Sequence, residues 1–379
     1  MNRKIEFIDL KAQRRHLGAK LDAAIMSAVD EGNYIMGPQV RAFEKQLEAF
    51  SDVKHAIGCA NGTDAIGLCL MAKKVRPGDA VIVPSFTFAS TAEVVAWLGA
   101  VPIFVDVDPV SYNMDPKGLE LGLAAASKHG LRPVGVIAVD LFGQPADYDP
   151  IESFCEAHKL WLIADSAQGY GSIYKGRKSG SIGTMATTSF FPAKPLGCYG
   201  DGGALFTADD EVAEVIRSLR VHGKGTDKYD NIRIGVNSRL DTLQAAILIE
   251  KLAVYEEEIA ARQRIADRYN AALSDVTATP AVMADCRSVW AQYTIRVAAD
   301  KRQAIIDDLK GKGVPTAVYY PRPLHQQTAY SKFPSAGNGL PVSERICHEV
   351  VSLPMHPYLD EETQDYICEA VRGTLATVG

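Results

Sequence analysis

The chain has 379 residues, 47% of them apolar and 23% charged, which is the composition of an ordinary globular protein with room for one large domain and a smaller one. A formal net charge of −6 argues against a nucleic-acid or anionic-membrane surface, and no apolar stretch is long enough to span a bilayer. Seven scattered cysteines, odd in number and without a Cys-x-x-Cys pair, argue against a disulfide framework and the usual zinc spacings.

The N-terminal Met1-Asn-Arg-Lys-Ile-Glu-Phe-Ile-Asp-Leu10 lacks the apolar core and cleavage site of a signal peptide, so a soluble, cytosolic protein without a metal is expected. Residues 12–31 have the spacing of an amphipathic helix, stopped by Gly37-Pro38, and a second helix follows over 41–50. Ala56-Ile-Gly-Cys-Ala60 predicts a buried strand, running through Asn61-Gly62-Thr63-Asp64 into a helix over 65–72. A strand, a glycine turn and a helix start present free N–H groups to an anion such as phosphate. An ordinary helix capped by Thr63 or Asp64 would give the same pattern.

Ala80-Val-Ile-Val83, Val101-Pro-Ile-Phe-Val-Asp106, Val134-Gly-Val-Ile-Ala-Val139 and Leu160-Trp-Leu-Ile-Ala164 predict strands, with helices through Trp97 and over 148–159. Continuous apolar runs separated by helices indicate a largely parallel sheet covered on both faces. Ligands in such sheets collect at the carboxyl ends of strands, where Phe88, Asp165 and Gln168 fall. From Gln244 to about Leu273 a single long helix is expected, leading into a smaller C-terminal domain with strands at 293–297 and 316–320 and helices at 304–310 and 361–374. Residues 223–232 have the composition of an exposed, mobile loop. The domain boundary expected from this pattern divides 1–250 from 251–379.

The stretch Ser189-Phe-Phe-Pro-Ala-Lys194-Pro-Leu-Gly-Cys-Tyr-Gly-Asp-Gly-Gly203 sets one lysine between two prolines, before a glycine-rich turn. Proline fixes φ and glycine admits conformations other residues avoid, so Lys194 sits on a defined, tight backbone. Fixed position and partial desolvation are what an amine forming a Schiff base needs. A surface lysine beside a hairpin at Asp201-Gly202 is the alternative.

Six motifs in order give the chain its resemblance: Asn61-Gly-Thr-Asp-Ala65, Pro84-Ser-Phe-Thr-Phe88, Asp165-Ser-Ala-Gln168, Ser189-Phe-Phe-Pro-Ala-Lys194, Gly200-Asp-Gly-Gly203 and Gly235-Val-Asn-Ser-Arg239. With these the whole chain, from Ile5 to Pro357, resembles the DegT/DnrJ/EryC1/StrS nucleotide-sugar aminotransferases, fold type I enzymes that use pyridoxal 5′-phosphate. The resemblance implies an α/β fold with a mostly parallel seven-stranded sheet and a smaller C-terminal α+β domain. It implies that Lys194 is the catalytic amine, that Asp165 pairs with the pyridine nitrogen, and that Gln168 bonds the phenolic oxygen. By the same token Phe88 stacks on the ring, and Gly62, Thr63 and Ser189 hold the phosphate. Asn237 matches an asparagine that reaches the phosphate in the neighbouring subunit, which implies a homodimer with shared sites. Some relatives of this fold have histidine at the position of Lys194 and dehydrate, so lysine here favours amino transfer.

Within the family the chain looks most like enzymes that aminate C3 of a UDP-linked 3-keto-N-acetylglucosaminuronate, with L-glutamate as donor, for O-antigen and related polysaccharides. The stretches carrying this are 189–203, 235–248, Ala291-Gln-Tyr-Thr294 and Gly313-Val-Pro-Thr-Ala-Val318. Where many relatives have His-Tyr-Pro this chain has Tyr319-Tyr320-Pro321, which leaves Tyr320 and His325 as candidates for the sugar side. A uronate needs a cation, and the planar fork of arginine suits it, so Arg233 and Arg239 beside Asn237 are the candidates. The competing readings are an aminotransferase acting on a C4 ketosugar or a dTDP-linked 3-ketosugar, a non-catalytic regulator that keeps the fold, and a dehydrogenase. The last lacks the Gly-x-Gly-x-x-Gly turn it would need.

Overall fold

The computed structural model describes residues 4–227 and 229–378. The predicted apolar runs are strands β1 (His55–Cys59), β2 (Asp79–Pro84), β3 (Val101–Val105), β4 (Arg132–Val139) and β5 (Trp161–Asp165). The two-residue strands β6 (Ile173–Tyr174) and β7 (Arg177–Lys178) form a small hairpin, and β8 (Met185–Ser189) and β9 (Gly203–Thr207) follow. Seven of these make one sheet in the order β1-β9-β8-β5-β4-β2-β3. β9 runs antiparallel to β8 and β1, because the lysine-bearing loop 190–202 turns the chain back where the other connections cross over; the β2–β3, β2–β4, β4–β5 and β5–β8 pairs are parallel. The carboxyl ends of β2, β4, β5 and β8 therefore open onto one edge.

The strands alternate between two cores, as a period of two requires. Ile82, Val136, Leu162 and Phe206 meet Phe43 and Leu47 on one face, whereas Val81, Ile137, Ile163 and Leu205 meet Leu68, Val94 and Ile216 on the other. The covering helices are α1 (Leu10–Glu31), α2 (Pro38–Ser51), α3 (Gly62–Ala72), α4 (Ser90–Trp97), α5 (Leu119–Lys128), α6 (Tyr148–His158) and α7 (Asp210–Leu219). α3 begins a turn earlier than the sequence suggests. Its cap is neither Thr63 nor Asp64 but Asn61, whose Oδ1 accepts the N–H of Asp64 at 2.8 Å.

The long helix expected from 244 to 273 is two helices, α8 (Thr242–Ala253) and α9 (Tyr255–Leu273), broken at Val254, whose φ of −107° and ψ of 2° leave the helical region. A third apolar core lies among α9, β11 (Tyr293–Arg296), α10 (Arg302–Gly311), β12 (Val350–Leu353) and α12 (Glu361–Val378). β10 (Cys286–Arg287) extends the small hairpin, and α11 (Pro341–Glu349) precedes β12. Ile5 joins the third core, and residues 334–336 return to the large sheet, where Phe104 exchanges backbone hydrogen bonds with Pro334 and Ala336. The strand expected at 316–320 does not form. Only Ala317 pairs, with Ser352, and a cis peptide joins Tyr319 to Tyr320 between Pro315 and Pro321. Residues 223–232 are irregular and largely exposed, with Lys228 outside the described residues.

Candidate active site

The open edge of the sheet borders a cavity of about 620 Å³. Its lining includes Gly62, Thr63, Phe88, Asp165, Gln168, Ser189, Lys194 and Tyr320, which gathers eight of the twelve residues singled out in the sequence. α3 starts at its rim. Asn61 takes the N–H of Asp64, while the amides of Gly62 and Thr63 lie at the helix start, where no preceding turn supplies an acceptor. A Cβ on Gly62 would lie 2.6 Å from Cβ of Ser189, and one on Gly203 would lie 2.4 Å from the carbonyl of Asn61. The first turn of α3, the end of β8 and the start of β9 thus close into a cradle only glycines permit. The Ser189 hydroxyl accepts from the N–H of Phe191 at 3.3 Å, leaving its own proton to donate.

Asp165 is the last residue of β5 and is 4% exposed. Burial raises its pKa above the usual carboxylate range, opposed by the N–H of Ala167 at 3.1 Å and by the charge of Lys194. Lys194 is half-buried, on a turn closed by its own N–H to the carbonyl of Phe191 at 2.8 Å. Burial lowers the pKa of its amine, and Asp165 draws it partly back. An amine and a carboxylate are thus held in one cavity, each destabilised in its charged form by burial.

Gln168 is fixed at both ends. Its Oε1 accepts the N–H of Phe142 at 2.9 Å and its Nε2 donates to the Tyr320 hydroxyl at 2.9 Å, so the second Nε2 proton is unclaimed by these partners. Phe88, 54% exposed, lines the cavity with its ring against that of Tyr320 at 6.4 Å between centroids.

Four of the singled-out residues lie elsewhere. Asn237 is exposed, bridged through its backbone to Val221. Arg233 donates to the Ser218 hydroxyl at 3.1 Å, and Arg239 is half-buried; neither lines the cavity of its own chain. His325 stands behind the wall with both ring nitrogens engaged, one with Ser85 Oγ at 2.6 Å and one with Glu344 at 3.0 Å. Tyr319, Gln292 and Asp201 also line the cavity; none of them stands out in the sequence as a site residue, although each lies inside a motif stretch that carries the resemblance or beside one.

The match to known proteins is near the full length of the chain. The model of the DegT/DnrJ/EryC1/StrS aminotransferase family covers residues 16–372. This chain belongs to that family. A relative in Pseudomonas aeruginosa, UDP-2-acetamido-2-deoxy-3-oxo-D-glucuronate aminotransferase, is 48% identical over 97% of this chain and 99% of its own. A crystal structure of a DegT DnrJ EryC1 StrS aminotransferase from Brucella abortus superposes with a TM-score of 0.96 at 53% identity, covering 97% of this chain and 99% of that one. A Bacillus subtilis structure with the cofactor PMP bound has a TM-score of 0.88 at 29% identity, covering 98% and 83%.

The protein is therefore an aminotransferase of the pyridoxal phosphate type, and the cavity fits that cofactor: a glycine cradle at a helix start for the phosphate, a buried carboxylate, and a desolvated amine. Among the described residues no group of His, Cys, Asp and Glu side chains could hold a metal ion, and no helix is long and apolar enough to cross a membrane.

Proposed function

We propose that this protein transfers the amino group of L-glutamate to the C3 carbonyl of a UDP-linked 2-acetamido-2-deoxy-3-oxo-D-glucuronate, in the assembly of O-antigen or a related polysaccharide. The observation that carries the reading is an intact Lys194 and Asp165 pair in one cavity, in a chain similar along its length to the Pseudomonas aeruginosa enzyme.

Bound here, the cofactor supplies an aldehyde that condenses with amines and a ring that takes up electrons when an adjacent C–H bond breaks. Lys194 would hold it through its side-chain amine, and that amine, when free, would take the proton from the α-carbon of glutamate and return one to the sugar carbon. Burial lowers the pKa of its amine, which favours the uncharged form that can accept a proton. Asp165 keeps the proton on the ring nitrogen. The amides of Gly62 and Thr63, with the hydroxyl of Ser189, would hold the phosphate, Phe88 would cover the ring, and the free Nε2 proton of Gln168 would be available to its phenolic oxygen. Residues 251–379 act as the smaller unit that brings Gln292, Tyr319 and Tyr320 over the cavity, with Tyr320 on the sugar side.

The site is completed by a second copy. The charged side chains lining the cavity are Asp64, Asp165, Asp201 and Lys194, an acidic set for substrates with carboxylates and phosphates. The missing cations stand on the exposed segment of Arg233, Asn237 and Arg239, interleaved with Ile232, Ile234 and Val236, which are 55%, 91% and 36% exposed. A homodimer that buries these apolar side chains would bring Asn237 to the partner's phosphate and Arg233 or Arg239 to the uronate. The seven cysteines are free thiols, as suits a reducing cytoplasm.

Two experiments test this. Nucleotide ketosugars generated in situ, with glutamate as donor, should give a 3-amino product by NMR; amination at C4 or of no UDP-uronate would reject the substrate. Lys194→Ala and Asn237→Asp, each inactive alone, should restore activity when mixed and allowed to exchange subunits, because one site of the hybrid is then intact. Inactivity of the mixture would reject the shared site.

A further inference from the structure

Directly after β4, and one strand over from Asp165, lies a second buried carboxylate, Asp140, which does not line the cavity. Its Oδ1 accepts the Tyr148 hydroxyl at 2.6 Å and the N–H of Ala146 at 3.0 Å, and its Oδ2 accepts the Ser166 hydroxyl at 2.6 Å. Its own N–H donates to the carbonyl of Asp165 at 2.9 Å. The turn beyond Asp165 is moulded around it: a Cβ on Gly169 would lie 2.3 Å from Cβ of Asp140.

A strand end in a packed interior is ordinarily apolar, and a carboxylate there costs free energy unless its oxygens are satisfied. Here the partners are neutral donors; the titratable groups facing it are Tyr148 on α6 and Asp165 on β5, neither of them a cation. Burial raises its pKa to about 6, with Asp165 adding to the rise. What the arrangement does provide is grip. The Ser166 hydroxyl sits between Asp165 and Gln168, and the segment after Asp140 adopts a φ of 60° at Phe142, which turns its N–H onto Oε1 of Gln168. Asn113 holds that segment from the other side, accepting the N–H of Leu141 and donating to the carbonyls of Gln144 and Pro145.

We propose that Asp140 is a positioning residue which, through Ser166 and the 140–142 segment, fixes the turn that aims Asp165 and Gln168 into the cavity. This rests on the reading that those two side chains face the cofactor ring. Asp140→Asn keeps the shape but must turn an N–H toward a hydroxyl that now donates, and Ser166→Ala removes the coupling from the other end. Wild type and both variants, loaded with pyridoxal phosphate, are to be compared by the pH titration of the visible absorption band, by kcat and KM for glutamate, and by melting without cofactor.

Both variants should melt cooperatively, shift the midpoint of the band, and lower kcat on the order of 10-fold with KM little changed, short of the loss that an ångström of misplacement brings. An unchanged midpoint and kcat in both would overturn the proposal, and if Asp140→Asn does not fold, Ser166→Ala decides alone. A wild-type protein without any band would sink the reading of the site, and the proposal with it.

Discussion

Gln168 donates its side-chain amide to the hydroxyl of Tyr320 at 2.9 Å, joining the turn after β5 of the central sheet to a segment 152 positions later in the chain. The same amide receives the N–H of Phe142 on its oxygen, so its orientation is set by the backbone. Replacing Gln168 with Leu leaves a buried N–H without an acceptor and Tyr320 without its donor. The expected cost is about 1–3 kcal/mol in denaturant unfolding, against ~1 kcal/mol for Tyr320→Phe, which removes only one bond.

Gly62→Ala tests the cradle. The added methyl meets the Cβ of Ser189 at 2.6 Å and its Cα at 3.2 Å, so β8 and α3 must part. A destabilisation of about 1–3 kcal/mol is expected from overpacking, together with a weaker affinity for pyridoxal phosphate in a fluorescence titration. Unchanged affinity would mean that the phosphate does not sit at this helix start.

Lys251 offers a test by pH. It is 1% exposed, its Nζ donates to the carbonyl of Gly197 at 2.6 Å in the loop that carries Lys194, and it stands 4.3 Å over the ring of Tyr199. Burial lowers its pKa from 10.5 to about 8. Below about pH 8 the amine is charged in both folded and unfolded chains and the burial penalty is fully present. Between 8 and 10.5 the unfolded chain holds a proton the folded one has shed, so stability rises with pH. Wild type should gain about 3 kcal/mol relative to Lys251→Met across that window, by paired unfolding curves. A flat difference would show that the amine titrates normally.

His325→Ala separates a latch from a substrate contact. Removing the imidazole leaves the fully buried Ser85 hydroxyl with only the backbone N–H of residue 325, at 3.4 Å, and is expected to cost about 1 kcal/mol in stability. Because His325 lies outside the cavity lining, the KM for the ketosugar should change far less than that of a Tyr320 variant.

Much of this was legible in the sequence because the signals were local. Runs such as Val81-Ile82 and Leu162-Ile163 load opposite faces of a sheet, and glycines and prolines around Lys194 mark a constrained loop. The failures were of two kinds. Val254 continues the apolar spacing of a helix, so nothing in periodicity shows the break between α8 and α9, and β-branched Thr316–Tyr320 has strand composition but only Ala317 finds a partner. The other kind is long-range chemistry. Nothing in the sequence sets Asp140 apart, and His325 is a candidate for the sugar side, until the hydrogen bonds to Ser166, Ser85 and Glu344 are seen.

Capture of the cofactor by the amine of Lys194 is the step on which the proposed function rests. Purified protein incubated with pyridoxal phosphate, reduced with borohydride and digested should yield one labelled peptide, modified at Lys194. Before reduction it should show a visible band that bleaches with L-glutamate and returns with the ketosugar. Protein that stays colourless in excess cofactor, or that takes the label at another lysine, would rule out Lys194 as the cofactor's anchor.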